Sequence, residues 1–261
     1  MPTIQHHGAT IHYEEYGQGF PILTFAPAGL RSVIAVWGQP SAPINPTTEF
    51  AANYRVIAMD GWKPDEAPGY GWPPERVWIN PSPNAANLNM ARDYAGTVML
   101  EGTTLSEGRG TTRPLEILFG APDLDAAAVL AEMERLAPQW LGGCAIRECW
   151  FTPTFHKHAG MLCNALMIHA EGPFYSHDAF RPWRLQALAF KAIRRLHPAY
   201  SIWRDFAYEY EFERLAIDVI NGGSGLREWV DDPAAEAGDL DALAAPDEAR
   251  WRGEVSDLLL Y

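Results

Sequence analysis

Cysteine is scarce: Cys144, Cys149 and Cys163 are the only three in 261 residues, and no two stand in C-x-x-C spacing. An odd number without that spacing excludes a disulfide framework and a zinc ribbon, and predicts buried thiols. Positive charge is also short, with twenty Lys and Arg against thirty-three Asp and Glu, a formal net charge of −13. With no basic stripe to neutralise phosphates, nucleic acid is excluded as a partner. No run of about 18 apolar residues occurs, which argues against a membrane-spanning helix and a membrane partner. The opening "MPTIQHHGATIHYEEYG" has no basic stretch followed by an apolar one, so no export signal is read, and cytoplasmic residence is the expectation.

What is present suits a globular protein of enzyme size. Hydrophobic residues make up 48% of the chain, enough for a substantial core. Ten tryptophans fill such a core, and their flat faces also suit sugars. The first sixty residues read as strands at Thr10–Tyr16, Pro21–Ala26 and Tyr54–Asp60, punctuated by Gly17, Gly19, Pro27 and Gly29. From Gly61 to Asn84 the chain turns rich in Pro, Gly and Trp, and the main boundary is placed there.

Beyond that boundary, Thr97–Gly102 is predicted as a strand. Asp125–Ala137 follows as a helix with Val129, Leu130, Met133, Leu136 and Ala137 on one face, stopped by Pro138. "AIRECWF" and "MLCNALMIHA" read as strands. A second amphipathic helix spans Pro182–Leu196, with Leu185, Leu188, Ala189, Ala192, Ile193 and Leu196 on its buried stripe. A short helix near Leu226–Val230 and another from Pro246 to Leu260, separated by an acidic, Ala-rich linker, complete the chain. The fold class expected is α/β with mixed α+β layers.

The stretch "LEGTTLSEGRGTTRP", Leu100–Pro114, concentrates chemistry. Glycoside hydrolysis uses two carboxyl groups about 5–9.5 Å apart, whereas full extension would hold Glu101 and Glu107 about 20 Å apart. The loop therefore has to fold back, which Gly102, Gly108 and Gly110 permit. Arg109 and Arg113 can hold carboxylates or a substrate acid bidentately. An Arg–Glu network that merely fixes the loop is the alternative.

Other candidates are weaker. In "FTPTFHKHAG", His156 and His158 share a face if the segment is extended, which suits structural hydrogen bonds, substrate contact or a metal completed by His169 or Glu171. No metal and no cofactor is assigned. "YEYEF" puts Glu209 and Glu211 on one face if it is a strand, as a solvated edge or a sugar platform. "PSPN" is a turn whose Asn84 satisfies its own backbone or contacts ligand.

From about Gly61 to Tyr261 the chain resembles the C-terminal half of the NamZ-type exo-β-N-acetylmuramidases, bacterial enzymes that release N-acetylmuramic acid from the non-reducing end of peptidoglycan fragments. The resemblance rests on "GWK", "WINPSPN", "AGTVMLEGTTLSEGRGTTRPLEILFGAP", "FTPTFHKHAG", "AFRPWR", "YEYEFERLAIDVINGG" and "LLLY", in family order. It implies a cleft between two lobes, muramic-acid-containing saccharides as partners, and Glu107 as the best carboxylate, with Glu101 beside it. Arg109 and Arg113 are then expected to meet the lactyl carboxylate of the sugar, and Asn84, His156 and His158 to lie in or behind the cleft. Relatives of this kind commonly act outside the cytoplasm.

The family's N-terminal lobe carries an "FGPEHG"-type motif, which resembles the source of another catalytic glutamate and has no counterpart here. Residues 1–60 instead resemble the opening strands of an α/β-hydrolase, incomplete because no G-x-S-x-G occurs; Ser224 in "NGGSGL" lies in the muramidase-like tail. The expected organisation is a β-rich segment 1–60 joined to a muramidase-like domain 61–261, a chimera with impaired activity. Non-catalytic muramyl-sugar binding by a vestigial fragment, and an esterase, are the alternatives.

Overall fold

The computed structural model describes residues 2–6, 9–26, 34–38, 44–59, 78–208 and 211–256. Contacts divide the chain into two compact units, Met1–Val77 and Trp78–Tyr261. The composition change at Gly61, residues 27–33 and the closing "LLLY" lie outside the described residues.

The first unit holds strands β1 (Thr3–His6), β2 (Ala9–Tyr16), β3 (Pro21–Phe25) and β4 (Arg55–Met59), and the short helix α1 (Pro46–Glu49). Three of these strands sit where alternation and the glycine breaks predict them. β1 is a fourth, recruited by antiparallel pairing of Thr3–His6 with Ala9–His12. Sheet order is β1-β2-β4-β3. β2 runs antiparallel to β4 and β3 parallel to it. A parallel pair needs a long crossover, and the chain between β3 and β4 contains α1, whose N-cap Asn45 accepts from Thr47 N. Ile34, Trp37 and Ala58 form its small core with Tyr16 against them.

The second unit contains α2 (Leu88–Thr97), β5 (Ile117–Ala121), α3 (Ala126–Leu136), β6 (Ala145–Phe151), β7 (Cys163–His169), α4 (Pro182–Leu196), α5 (Ala216–Ile220), α6 (Gly225–Asp231) and α7 (Ala237–Val255). β5-β7-β6 is an antiparallel sheet with β7 in the middle. Helix α3 starts where Asp125 caps Ala128 N and ends before Pro138. Helix α4 buries Leu185, Leu188, Ala189, Ala192 and Ile193 as its periodicity predicts, while Leu196 in its last turn is 39% exposed. α4 packs on α2, α3 and α6. Gly96 makes the α2 contact possible, because a Cβ there would lie 2.1 Å from Pro182 O. Of the three free thiols, Cys163 is buried and Cys144 and Cys149 are half-buried.

Two elements differ from expectation. Thr97–Gly102 is not a strand: α2 runs to Thr97 and tightens into a 3-10 turn over Val98–Gly102. Met99 and Leu100 are both buried, which a strand with only one face on the core cannot achieve for neighbours, so tertiary burial overrides the β-branched composition. The last helix begins at Ala237, nine residues before Pro246, and the acidic, Ala-rich stretch is its first half. A reciprocal capping box between Glu236 and Asp239 starts it, and Pro246 is carried inside at the loss of one backbone hydrogen bond. Among the described residues, no helix is long and apolar enough to cross a membrane.

Candidate functional site

The site is built from the Leu100–Pro114 stretch. The 3-10 turn Val98–Gly102 delivers Glu101, and the next residues are zipped to a segment a hundred positions away. Thr103 bridges Trp203, Thr104 N donates to Ile202 O (2.8 Å), and Arg204 N donates to Gly102 O (3.0 Å). The loop then folds back, with Ser106 N donating to Gly120 O (2.8 Å) and Leu115 N to Glu107 O (2.8 Å). Gly110 has φ +80°, and a Cβ there would sit 2.5 Å from Thr154 Oγ1. Only glycine lets this turn lie against Thr154, whose hydroxyl donates to Gly110 O.

Folding back brings both glutamates to one guanidinium. Arg109 Nε donates to Glu107 Oε1 (2.6 Å), and Arg109 Nη2 donates to Glu101 Oε1. Tyr208 Oη donates to the other oxygen of Glu101 (3.0 Å). Glu107 has no exposed surface. His156 Nδ1 lies 3.2 Å from Glu107 Oε1, and Lys157 Nζ lies 2.9 Å from Glu107 Oε2. The Lys157 contact is a close charge pair rather than a directed hydrogen bond, since Glu107 Oε2 has no bond of proper geometry. Lys157 Nζ also donates to Leu100 O (2.6 Å) and Leu105 O (2.7 Å), so three oxygens surround the ammonium.

Burial alone would raise the pKa of Glu107, but the Lys157 charge and the Lys157 and Arg109 contacts outweigh it and hold the carboxyl below its ordinary 4.5. Glu107 is thus an ionised carboxylate. Burial, assisted by the Lys157, Arg109 and Arg204 charges, keeps His156 below 6.5 despite Glu107, so its imidazole is neutral at pH 7.

"FTPTFHKHAG" is a compact turn, not an extended run with two imidazoles on one face. Gly160 N donates to Pro153 O (2.8 Å) and Met161 N to His158 O (2.9 Å). His156 (φ +70°) and His158 (φ +56°) both take the left-handed conformation, which non-glycine residues rarely adopt and which often marks functional loops. Together with Thr104, Lys157 and Arg204 they line an open depression of about 400 Å³. Glu107 lies behind His156 and Lys157.

Arg113 belongs to a second ionic group. Its Nη2 pairs with Glu116 (2.6 Å) and Glu171 (3.0 Å), while His169 Nδ1 lies 3.0 Å from Glu171 and Asn87 donates to Glu116 (2.7 Å). Glu171 is therefore engaged with Arg113 and His169, whose Nε2 accepts from Arg147 (2.9 Å). Among the described residues, no set of three or more His, Cys, Asp or Glu is placed to hold a metal. Asn84 is half-buried in a turn at 81–84, beside Ala85, which packs with Met90, Leu115 and Trp78. In "YEYEF", Tyr208 and Glu211 exchange backbone hydrogen bonds; Glu209 and Tyr210 lie outside the described residues. Ser224 precedes α6 with its carbonyl accepting from Glu228 N.

Lys157, Arg204, Thr104 and Tyr208 are site residues that sequence reasoning passed over. Lys157 stands inside a quoted stretch, but nothing in its spacing marks it as the counter-ion of Glu107. Arg204 arrives through backbone pairing across a hundred residues and Tyr208 through its hydroxyl on Glu101, contacts for which no local pattern exists.

Fold and site together define a two-unit protein of mixed helix and sheet, whose second unit holds an ionised glutamate between cations behind an open depression. The family model for the exo-beta-N-acetylmuramidase NamZ, C-terminal, matches residues 92–261, and the chain belongs to this family. It is 32% identical over 162 residues to the peptidoglycan beta-N-acetylmuramidase NamZ of Bacillus subtilis (strain 168), an alignment covering 62% of this chain and 36% of that protein. The chain thus spans little more than a third of the curated relative it matches. Two DUF1343 family proteins of Bacteroides fragilis NCTC 9343 share the fold, with TM-scores of 0.54 and 0.51 at 19% and 18% identity. These likenesses cover 85% and 87% of this chain and 52% of each of theirs.

Proposed function

We propose that this chain carries the charge-stabilising part of a muramidase-type glycoside hydrolase that releases N-acetylmuramic acid from the non-reducing end of peptidoglycan fragments. The observation supporting it is Glu107, an ionised carboxylate fixed between Arg109, His156 and Lys157 in the family's own domain. Glycoside hydrolysis passes through an oxocarbenium-like transition state and uses one ionised and one protonated carboxyl. Glu107 suits the ionised role: its charge, fixed before substrate arrives, stabilises the positive charge that His156 gains on taking a proton. Neutral His156, half-exposed and paired with Glu107, is suited to take a proton from an attacking water. Glu101 shares Arg109 with Glu107 and fixes it.

A second reading, binding of muramyl sugars without turnover, is favoured by the complete burial of Glu107 and by the 36% coverage of the relative. Hydrolysis of a chromogenic N-acetylmuramide near neutral pH separates the two. Release of the chromophore, reduced about 100- to 1000-fold in Glu107→Gln, supports hydrolysis. Equal release by that variant contradicts the role given to Glu107. Heat on titration with N-acetylmuramic acid, without release, selects the binding reading; neither heat nor release rejects both.

A further inference from the structure

Among the described residues, Arg204 is the cation of the site that meets no carboxylate. Of the three cations in the cluster, Lys157 is surrounded by Glu107 and two carbonyls, and Arg109 is shared between Glu101 and Glu107. Arg204 lines the depression, yet among the described residues its guanidinium meets no carboxylate; its centre lies 4.0 Å from the centroid of the Phe206 ring. Three cations thus face two carboxylates, and the surplus charge sits on the wall open to solvent. The charge of Arg204 already bears on its neighbours, contributing to the lowering of both His156 and Lys157. One added anion would relieve that repulsion.

The guanidinium is also held ready. Its residue is fastened by Arg204 N to Gly102 O (3.0 Å) and Thr104 N to Ile202 O (2.8 Å), and its plane packs on Phe206, which leaves the fork of donors free for a flat acceptor. His158 also lines the depression, its residue held in the left-handed conformation at φ +56°. Arg109 and Arg113, by contrast, already have carboxylate partners.

We propose that Arg204 is the carboxylate anchor of this depression and gives it preference for a sugar bearing an acidic substituent over its uncharged counterpart. The sugar part of this inference rests on the muramidase reading; the anion site does not. Two titrations of the full chain keep them apart. In the first, calorimetry compares N-acetylmuramic acid with N-acetylglucosamine, which lacks the acid. The wild type is expected to favour the acid sugar, and Arg204→Gln to lose about 10- to 100-fold in affinity for it alone, as for loss of a charge-assisted hydrogen bond, with Arg204→Lys between them. Unchanged affinity for the acid sugar in Arg204→Gln overturns the inference and leaves the muramidase reading standing. In the second, D-lactate is added to protein with 15N-labelled arginine while the Arg204 side-chain resonance is followed. A saturable shift of that resonance is expected, and its absence overturns the inference. A lactate shift without binding of either sugar supports the anion site and rejects the muramidase reading. Matching thermal unfolding of wild type, Arg204→Gln and Arg204→Lys excludes misfolding as the cause of any loss.

Discussion

At the scale of single residues, Glu107 and Lys157 bury opposite charges side by side, and each depends on the other. Removing Lys157 leaves Glu107 to Arg109 and His156, and removing Glu107 leaves Lys157 with two carbonyls only; breaking a buried pair typically costs about 3–5 kcal/mol. Lys157→Met should therefore destabilise the protein by about that amount in urea unfolding, and adding Glu107→Leu should recover part of the loss. A single variant within about 1 kcal/mol of wild type would contradict the pairing. The folded-state pKa of Glu107 lies below its unfolded value of 4.5. Its contribution is thus present above pH 4.5 and lost as pH falls through the folded value. The stability gap between wild type and Glu107→Gln should shrink at low pH, which acid unfolding curves measure.

Asp93 behaves with the opposite sign. It is fully buried in α2 and neither carboxylate oxygen has a hydrogen-bond partner. Burial, reinforced by the Glu116 charge, pushes its pKa up from 3.8 to about 8. The native state therefore holds a proton that the unfolded chain has released, and stability drains away as pH rises from about 4 to 8. Asp93→Asn should be more stable than wild type at pH 8 by roughly 2–5 kcal/mol and indistinguishable from it at pH 4. Parallel pH profiles of the two proteins in urea unfolding would show that Asp93 is not held neutral.

At the scale of elements, the closest approach is between α2 and α4. A Cβ on Gly96 would lie 2.1 Å from Pro182 O, so Gly96→Ala must push the helices apart. We expect a loss of about 1–3 kcal/mol from overpacking, although Ala favours an isolated helix by about 1 kcal/mol. A gain in stability by thermal unfolding would show that the contact has room. The same contact explains what the sequence hid. Helices α3 and α4 carry clear periodicity, and they and strands β6 and β7 are legible almost to the residue. Helix α2 has Asp93, Gly96 and Thr97 inward, a buried face that is not apolar, so no hydrophobic stripe announced it. Thr97–Gly102 was misread because its composition favours a strand while its neighbours demand a helical turn. In α7 only Leu240 is buried, so its start is written in the Glu236 cap and Pro246 looks like a beginning.

The site divides in the same way. Glu101, Glu107, Arg109 and His156 lie in two short, distinctive stretches, and the structure brings both glutamates to Arg109 and His156 to Glu107. Lys157 and Arg204 needed coordinates, because a counter-ion and a vacant guanidinium are defined by what surrounds them.

At the scale of the whole molecule, a chain of net charge −13 presents a local excess of positive charge at one depression. Electrostatic recognition there should weaken with salt, as the screening length falls from about 10 Å at 0.1 M to about 3 Å at 1 M. Affinity for N-acetylmuramic acid should drop several-fold over that range while N-acetylglucosamine is unaffected, measured by calorimetry. An equal response of both sugars would place recognition in apolar contacts instead.

The most direct measurement is a backbone NMR titration of the full chain with N-acetylmuramic acid. The account predicts that shifts concentrate at Thr104, His156, Lys157, His158 and Arg204. Perturbation confined to the Arg113, Glu116 and Glu171 group, with those five unmoved, would contradict it.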